Sequence, residues 1–156
     1  MNAPVPVSDC ATGIRRAVAL LCARMSWAAL HEFTFPNGRR ADLLALMPDG
    51  RFACIEVKSC ARDFLTDLKW HEYREYCDAF YFAVESDFPL DLLPEPVGLI
   101  LTAGHEAEIA RDAPVHVLAP ARRRALLHRF AFLGATRLAM LQDPAIGALR
   151  MALRAD

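Results

Sequence analysis

Two turns of the same chemistry constrain the fold of this chain more than any other feature. Residues 36–38 read Pro-Asn-Gly and residues 48–50 read Pro-Asp-Gly. Proline presets φ at the start of a tight turn, and glycine accepts the positive φ that closes it. The turns separate three largely apolar runs, residues 28–35, 39–47 and 51–58. These runs are predicted to be three consecutive strands of an antiparallel meander.

Helices are predicted on either side of this meander. Residues 11–26 have an apolar stripe at helical spacing, and Asp9 or Thr12 could cap its start. Residues 62–77, with Asp63 as a candidate N-cap, and residues 120–142 are the second and third predicted helices. A short helix is expected in the tail.

Further strands are predicted after the second helix, over residues 78–84 and 96–102, both nearly all apolar as in strands covered on two faces. A polar turn or helix is expected at residues 104–111 and an edge strand at 115–119. The predicted fold class is α/β (α+β), a central mixed sheet flanked by helices. It is expected to form one domain over residues 12–144, between a flexible lead-in (1–11) and a tail (145–156).

Composition narrows the class of protein. Hydrophobic residues make up 54% of the chain, which is typical of a globular protein. The apolar runs are too short for a membrane helix, and the N-terminus does not resemble a signal peptide, so a cytoplasmic location is expected. Five cysteines without a Cys-x-x-Cys pair indicate neither a disulfide framework nor a zinc ribbon. The net charge of −1 does not by itself indicate a nucleic-acid-binding protein.

The two turns also predict which charged side chains share a face. If each is a three-residue hairpin loop closed by glycine, Met47 pairs with Arg51, and Asp42 then falls opposite Glu56. The same rule at the first turn places Glu32 opposite Asp42. Lys58 lies on that face because strand side chains alternate. A row of three carboxylates beside a lysine is therefore expected across three strands.

Such a row has a chemical use. Carboxylates held together repel one another and lose solvation, whereas Mg²⁺ takes oxygen ligands, typically one or two carboxylates with waters and phosphate oxygens. The alternative is that these residues sit at strand ends and form ordinary salt bridges. This alternative is favoured more for Glu32 alone than for Asp42, Glu56 and Lys58 together.

The same residues carry a resemblance to a known family. Asp42 followed by Glu56-Val57-Lys58 at the end of an apolar strand resembles the PD-(D/E)XK nuclease motif. The segments GRRADLLAL, EVKS, DLKWHEYREYCD with FYFAV, and ARRRALLHRFAFLGATRLAMLQDP resemble the MmcB-type DNA repair proteins, a small bacterial group with a PD-(D/E)XK-like pattern. The resemblance covers roughly residues 12–144.

The resemblance implies a restriction-endonuclease-like core, a Mg²⁺ ion for which Mn²⁺ could substitute, and phosphodiester hydrolysis. Asp42, Glu56 and the Val57 carbonyl match the metal ligands, and Lys58 matches the catalytic lysine. Many members carry another acid on the first helix, whereas residues 11–26 contain none, so Glu32 is the candidate substitute. The proline that often precedes the motif aspartate is replaced by Ala41.

Basic residues outside this motif are candidates for contacts with DNA phosphates. Trp70 could stack on a base, although packing against the sheet is the favoured interpretation. The candidate phosphate contacts are Arg39, Arg40, Lys69, Arg122, Arg123 and Arg124.

Two functions remain open from the sequence. The first is a DNA repair endonuclease near the bacterial nucleoid, acting on damaged or structured DNA of a kind that the sequence does not specify. The alternative is a DNA-binding or protein-interaction module of the same fold without catalysis. A homodimer or a repair-protein partner is compatible with both. A small-molecule enzyme is disfavoured, because the chain has no Gly-rich phosphate loop.

Overall fold

The computed structural model describes residues 7–66 and 69–154. The chain forms two compact units, Met1–Leu118 and Ala119–Asp156. The first unit contains, in chain order, α1 (Val7–Arg24), β1 (Ala28–Thr34), β2 (Arg40–Leu46), β3 (Phe52–Lys58), α2 (Ala61–Thr66), a 3₁₀ helix (Trp70–Tyr76), β4 (Ala79–Glu85), a 3₁₀ turn (Leu90–Leu92), β5 (Gly98–Ala103) and β6 (Glu106–Arg111). The second unit contains α3 (Pro120–Gln142) and α4 (Pro144–Ala152).

The strands form one mixed sheet in the order β1-β2-β3-β4-β5-β6. The β1–β2, β2–β3 and β5–β6 pairs are antiparallel, and β4 runs parallel to both β3 and β5. Helices cover this sheet, so the predicted fold class is confirmed, and the architecture is consistent with a restriction-endonuclease-like core.

The predicted hairpin register is confirmed at both turns. Leu30 lies opposite Leu44, and Leu44 lies opposite Cys54. Gly38 and Gly50 close the two turns at φ +83° and +86°, a left-handed conformation that glycine adopts without steric cost. Turn chemistry therefore fixes the register of the paired parts of these three strands.

The two faces of the sheet are buried differently. One face packs Leu43, Ala45 and Ile55 against Ile14 and Val18 of α1 in a single apolar cluster. The opposite face carries a cluster of aromatic side chains, in which the ring centroids of Trp70 lie 5.8 Å from both Phe80 and Phe82. β3 is buried along its whole length, including Glu56 and Lys58. β4 is buried except at Glu85, as its nearly all-apolar sequence predicts for a strand covered on two faces.

Several sequence predictions for the helices are wrong in detail. Asp9 and Thr12 lie inside α1, which begins at Val7, so neither caps its start. The predicted helix 62–77 is two shorter elements, α2 and the 3₁₀ helix, and residues 67–68 between them lie outside the described part. Asp63 lies inside α2, where it accepts a hydrogen bond of 2.7 Å from Ser59 Oγ.

The end of the first unit also differs from the prediction. Residues 106–111 form β6 instead of a turn or helix, with exposure alternating along the strand as Glu-Ala-Glu-Ile-Ala-Arg alternates polar and apolar side chains. Residues 115–119 do not form a strand. Their amides bond to Asp78 instead: His116 N–H to its carbonyl at 2.7 Å and Leu118 N–H to its carboxylate at 3.1 Å.

Candidate functional site

The site begins with a geometric requirement on β2. Phe35 N–H donates to the Arg39 carbonyl and Met47 N–H donates to the Arg51 carbonyl, each at 2.8 Å, so Arg39 bonds toward β1 and Met47 toward β3. Backbone groups two residues apart point to the same side of a regular strand. Arg39 and Met47 are eight residues apart and would therefore point to the same neighbour. β2 must contain one irregularity between the two turns.

The irregularity lies at Asp42. The β1–β2 pairing omits Glu32 opposite Asp42, and the β2–β3 ladder ends at Leu43 and Ile55. Beyond that point backbone N–H groups donate to carboxylates instead of to backbone carbonyls: Asp42 N–H donates to Glu56 Oε1 at 3.1 Å. Val57 N–H donates in turn to Asp42 Oδ2 at 2.9 Å. Asp42 and Glu56 thus contact each other because the backbone pairing of β2 with β3 ends beside them.

Glu56 and Lys58 are buried at the end of β3, with 5% and 6% of their surface exposed. Charged side chains are rarely so buried unless they are paired or bind a ligand. Asp42 is more open, with 20% of its side chain exposed. The structure therefore brings Asp42 into contact with Glu56, and Lys58 lies buried two residues beyond Glu56 on the same strand.

Arg15 of α1 completes the site and was missed by the sequence prediction. Its Nη2 donates to Asp42 Oδ1 at 2.6 Å, and its Nη1 lies 3.5 Å from Glu32 Oε1. Its Nε is buried and finds no acceptor among the described residues. The available signal was its place next to Ile14, at the border of the buried stripe of α1. The stretch of α1 from residue 11 onward, which contains no acid, thus supplies a cation to the site.

Glu32 contacts the site from its edge. Half of its side chain is exposed, and its backbone adopts φ +49°, which is unusual for a residue with a Cβ. It meets Asp42 through their shared partner Arg15. Within residues 7–66 and 69–154 no group of three or more His, Cys, Asp or Glu side chains is placed to hold one metal ion.

Negative charge at this site also affects a neighbouring thiol. The pKa of Cys54 is raised well above its usual value, mainly by burial and then by its contact with Cys77. The charges of Glu56 and Asp42 add to this increase. All five cysteines are free, as the sequence predicts.

The predicted phosphate contacts of the first unit lie in different environments. Arg39 forms a two-pronged ion pair with Glu72, and this hydrogen bonding lowers the pKa of the Glu72 carboxyl. Arg40 and Lys69 are exposed. Trp70 is 7% exposed and packs against the sheet, which confirms the favoured interpretation over base stacking.

Arg122, Arg123 and Arg124 lie in the first turns of α3, in the second unit. Arg122 and Arg124 are exposed, and Arg123 is partly exposed. They remain predicted DNA contacts of that unit. None of the helices in the described part of the chain is long and apolar enough to cross a membrane.

Comparison with known proteins gives two matches. A family model described as "DNA repair protein MmcB-like" matches residues 3–145. The solved structure of SPO1766, a protein of unknown function from Silicibacter pomeroyi, is similar with a TM-score of 0.83 and 40% identity over 87% of this chain and 93% of that one. No curated protein matches. The chain therefore belongs to the MmcB-like DNA repair protein family.

Proposed function

We propose that this chain is a metal-dependent DNA endonuclease of the PD-(D/E)XK type that acts in repair. The observation that carries the proposal is the contact between Asp42 and Glu56 at the open end of the β2–β3 ladder, with Lys58 buried two residues further along. Two carboxylates could hold a metal ion that polarises a phosphodiester, and a lysine beside them could stabilise negative charge on the phosphate.

The donors are of the kind that Mg²⁺ takes. Asp42, Glu56 and the Val57 carbonyl would hold the ion, and magnesium commonly relies on one or two carboxylates, with waters and phosphate oxygens as its other ligands. That the site accepts a cation is supported by the Arg15 guanidinium, which contacts Asp42 at 2.6 Å. A bound metal would supply charge stabilisation at the phosphate and a more acidic water.

The chain's own residues would divide the remaining work. The buried Lys58 side chain would hold a phosphate oxygen and stabilise the negative charge that develops during hydrolysis. Val57 N–H orients Asp42 through Oδ2, and Asp42 N–H orients Glu56 through Oε1. Arg15 would have to release Asp42 Oδ1 before that oxygen could bind an ion.

Engagement of DNA is assigned to the helical unit on the basis of charge. Residues 119–156 hold seven of the 18 Lys and Arg and two of the 19 Asp and Glu, a net charge of +5 against −6 for residues 1–118. Arginines attract backbone phosphates without reading sequence. The net charge of the whole chain is near zero only because these two parts carry opposite charges. The positive charge of residues 119–156 supports the predicted role of Arg122, Arg123 and Arg124.

A second candidate, DNA binding without cleavage, is favoured by one observation. Three carboxylate oxygens of the acid pair already accept hydrogen bonds, from Arg15, Val57 N–H and Asp42 N–H. A site that is neutralised internally in this way does not need a metal to be stable. This candidate predicts DNA affinity that is independent of metal and survives loss of Glu56.

The test is cleavage of supercoiled, nicked and branched DNA with Mg²⁺ or Mn²⁺. Glu56→Gln and Lys58→Met should abolish cleavage, because each removes a group that no neighbour replaces. The matched control is Glu108→Gln on the exposed side of β6. The nuclease proposal would be contradicted if both site variants cleaved DNA at the wild-type rate. It would also be contradicted if the wild type cleaved none of the substrates. Metal-independent DNA binding by the same inactive proteins would then favour the second candidate.

A further inference from the structure

Glu32 lies beside the acid pair without being part of it. His31 and Phe33, on either side of it, pair with β2, whereas no pairing joins Glu32 to Asp42. In an unbroken ladder the two opposed residues would have their Cβ atoms about 4.5–5.5 Å apart on one face. Glu32 instead has φ +49°, a left-handed backbone that residues with a Cβ rarely adopt. Such backbones are concentrated at functional sites, so Glu32 is a candidate for a role of its own.

The Arg15 guanidinium connects Glu32 to the acid pair. Its Nη2 donates to Asp42 Oδ1 at 2.6 Å, and its Nη1 lies 3.5 Å from Glu32 Oε1. Charge-assisted N–H···O bonds are normally about 2.7–2.9 Å long, so the contact with Asp42 is fully formed and the contact with Glu32 is not. A movement of Nη1 by less than about 1 Å would complete the second contact. One guanidinium therefore has two carboxylate partners within its reach.

Two observations favour a second position of Arg15, closer to Glu32. Arg15 Nε is buried and finds no acceptor in the part of the chain that the structure describes. A buried donor without an acceptor costs free energy, which a different position of the guanidinium can recover. The Glu32 side chain is also 50% exposed and that of Asp42 only 20%. Movement toward Glu32 therefore takes the guanidinium to the better solvated of its two partners.

We propose that Glu32 is the acceptor onto which Arg15 moves when a divalent cation binds at Asp42 and Glu56. This inference rests on the metal site of the proposed function. Glu32 is then a positioning residue: it holds the guanidinium away from the ion and does not ligate the ion itself. A guanidinium that stayed at Asp42 would repel a divalent cation on the same carboxylate. Glu32 is the other carboxylate that Arg15 contacts, so it remains as a partner once Asp42 is taken.

Two other roles of Glu32 fit the structure less well. A direct ligand would have to share one ion with Asp42 and Glu56, yet within the two described ranges no three acidic, histidine or cysteine side chains are placed to hold one ion. An anchor that keeps Arg15 on Asp42 would be expected at hydrogen-bond length, whereas the distance from Arg15 to Glu32 is 3.5 Å. Each role predicts a different response of metal affinity to the loss of the Glu32 charge.

The experiment is a double-mutant cycle in which Mn²⁺ binding to the full chain is measured by calorimetry. Its four proteins are the wild type, Glu32→Gln, Arg15→Met and the double variant. Glu32→Gln should raise the Kd for Mn²⁺ by about 5-fold in the wild-type background, which is the upper range for an ion pair that is partly exposed. In the Arg15→Met background the same change should alter the Kd by less than about 2-fold, because no guanidinium is left to be held and the remaining charge effect is screened by salt.

Two controls accompany this cycle. Half of the Glu32 side chain is exposed, so its replacement by Gln leaves the fold intact, which circular dichroism would verify. Glu108→Gln removes an exposed acid of β6, and it should leave the Kd for Mn²⁺ unchanged. The Arg15→Met background is itself a control, since Glu32→Gln changes the net charge equally in both backgrounds.

Three results would overturn this inference and leave the nuclease proposal standing. An equal rise of the Kd in both backgrounds would make Glu32 a ligand of the ion. An unchanged Kd in the wild-type background would give Glu32 no part in metal binding, and a lower Kd would show that Glu32 keeps Arg15 on Asp42. Absence of Mn²⁺ binding in all four proteins would overturn both proposals. The expected cycle without any DNA cleavage would support this inference and contradict the nuclease alone.

Discussion

Replacing Arg15 by Met tests how the acid pair is neutralised. Met keeps the apolar stem of the side chain and removes the charge that contacts Asp42 at 2.6 Å and Glu32 at 3.5 Å. We expect the variant to bind Mn²⁺ more tightly than the wild type, because a metal ion would no longer compete with the guanidinium for Asp42 Oδ1.

The magnitude follows from the exposure of the two side chains. A charge pair about 4 Å apart interacts by roughly 4 kcal/mol at an effective dielectric constant of about 20. Arg15 and Asp42 are 33% and 20% exposed, so solvent screens part of this energy. A net contribution of about 1.5 kcal/mol corresponds to a Kd for Mn²⁺ that is about 10-fold lower in the variant.

The assay is calorimetric titration of the metal-free chain with Mn²⁺, together with its Tm with and without the ion. Arg16→Met is the matched control, since Arg16 is the adjacent exposed arginine of the same helix. Without metal, Arg15→Met should melt below the wild type, and Mn²⁺ should raise its Tm by more. An unchanged Kd in Arg15→Met, or weaker binding in that variant alone, would show that Arg15 does not compete for the site.

Two further predictions concern the stability of the fold. The buried Asp78 carboxylate accepts hydrogen bonds from the backbone N–H groups of Phe52 and Leu118. Because each unpaired buried donor costs about 1–3 kcal/mol, Asp78→Ala should lower the free energy of unfolding by about 3 kcal/mol, measured by urea denaturation. A loss below about 1 kcal/mol would contradict this prediction. The backbone of Glu32 has φ +49°, a left-handed conformation that disfavours residues with a Cβ. Glu32→Gly should therefore be more stable than Glu32→Ala by about 1 kcal/mol. Equal urea midpoints of unfolding for the two variants would show that this backbone is unstrained.

The sequence predicts the meander and its register because turn chemistry is local. Gly38 and Gly50 each define one loop type, and the loop type sets which residues pair. That β2 contains an irregularity follows from counting residues between the two turns and could also have been predicted, whereas its place at Asp42 comes from the strand pairing. β6 was not predicted, although its polar and apolar residues alternate as in a strand. The alternating stretch is only six residues long, and its polar residues favoured the prediction of a turn or helix.

Arg15 and Asp78 could not be predicted in the same way. Whether Arg15 reaches Asp42 depends on how α1 is rotated over the sheet, which many distant contacts decide together. Asp78 pairs with Phe52 and Leu118, which are 26 and 40 residues away along the chain. The helix prediction over residues 62–77 failed for a related reason: Trp70 and Tyr73 pack on the sheet as part of a 3₁₀ helix.

The eight-residue interval between Arg39 and Met47 has a consequence for how such a site arises and is lost. A β2 shorter by one residue would satisfy both hairpins with an unbroken ladder, and it would do so without altering Asp42, Glu56 or Lys58. The sheet would gain hydrogen bonds while the acids separated. Single-residue insertions and deletions in this strand are therefore expected to be more damaging to the site than to the fold, so a homologue with every motif residue present could still be inactive through strand length alone.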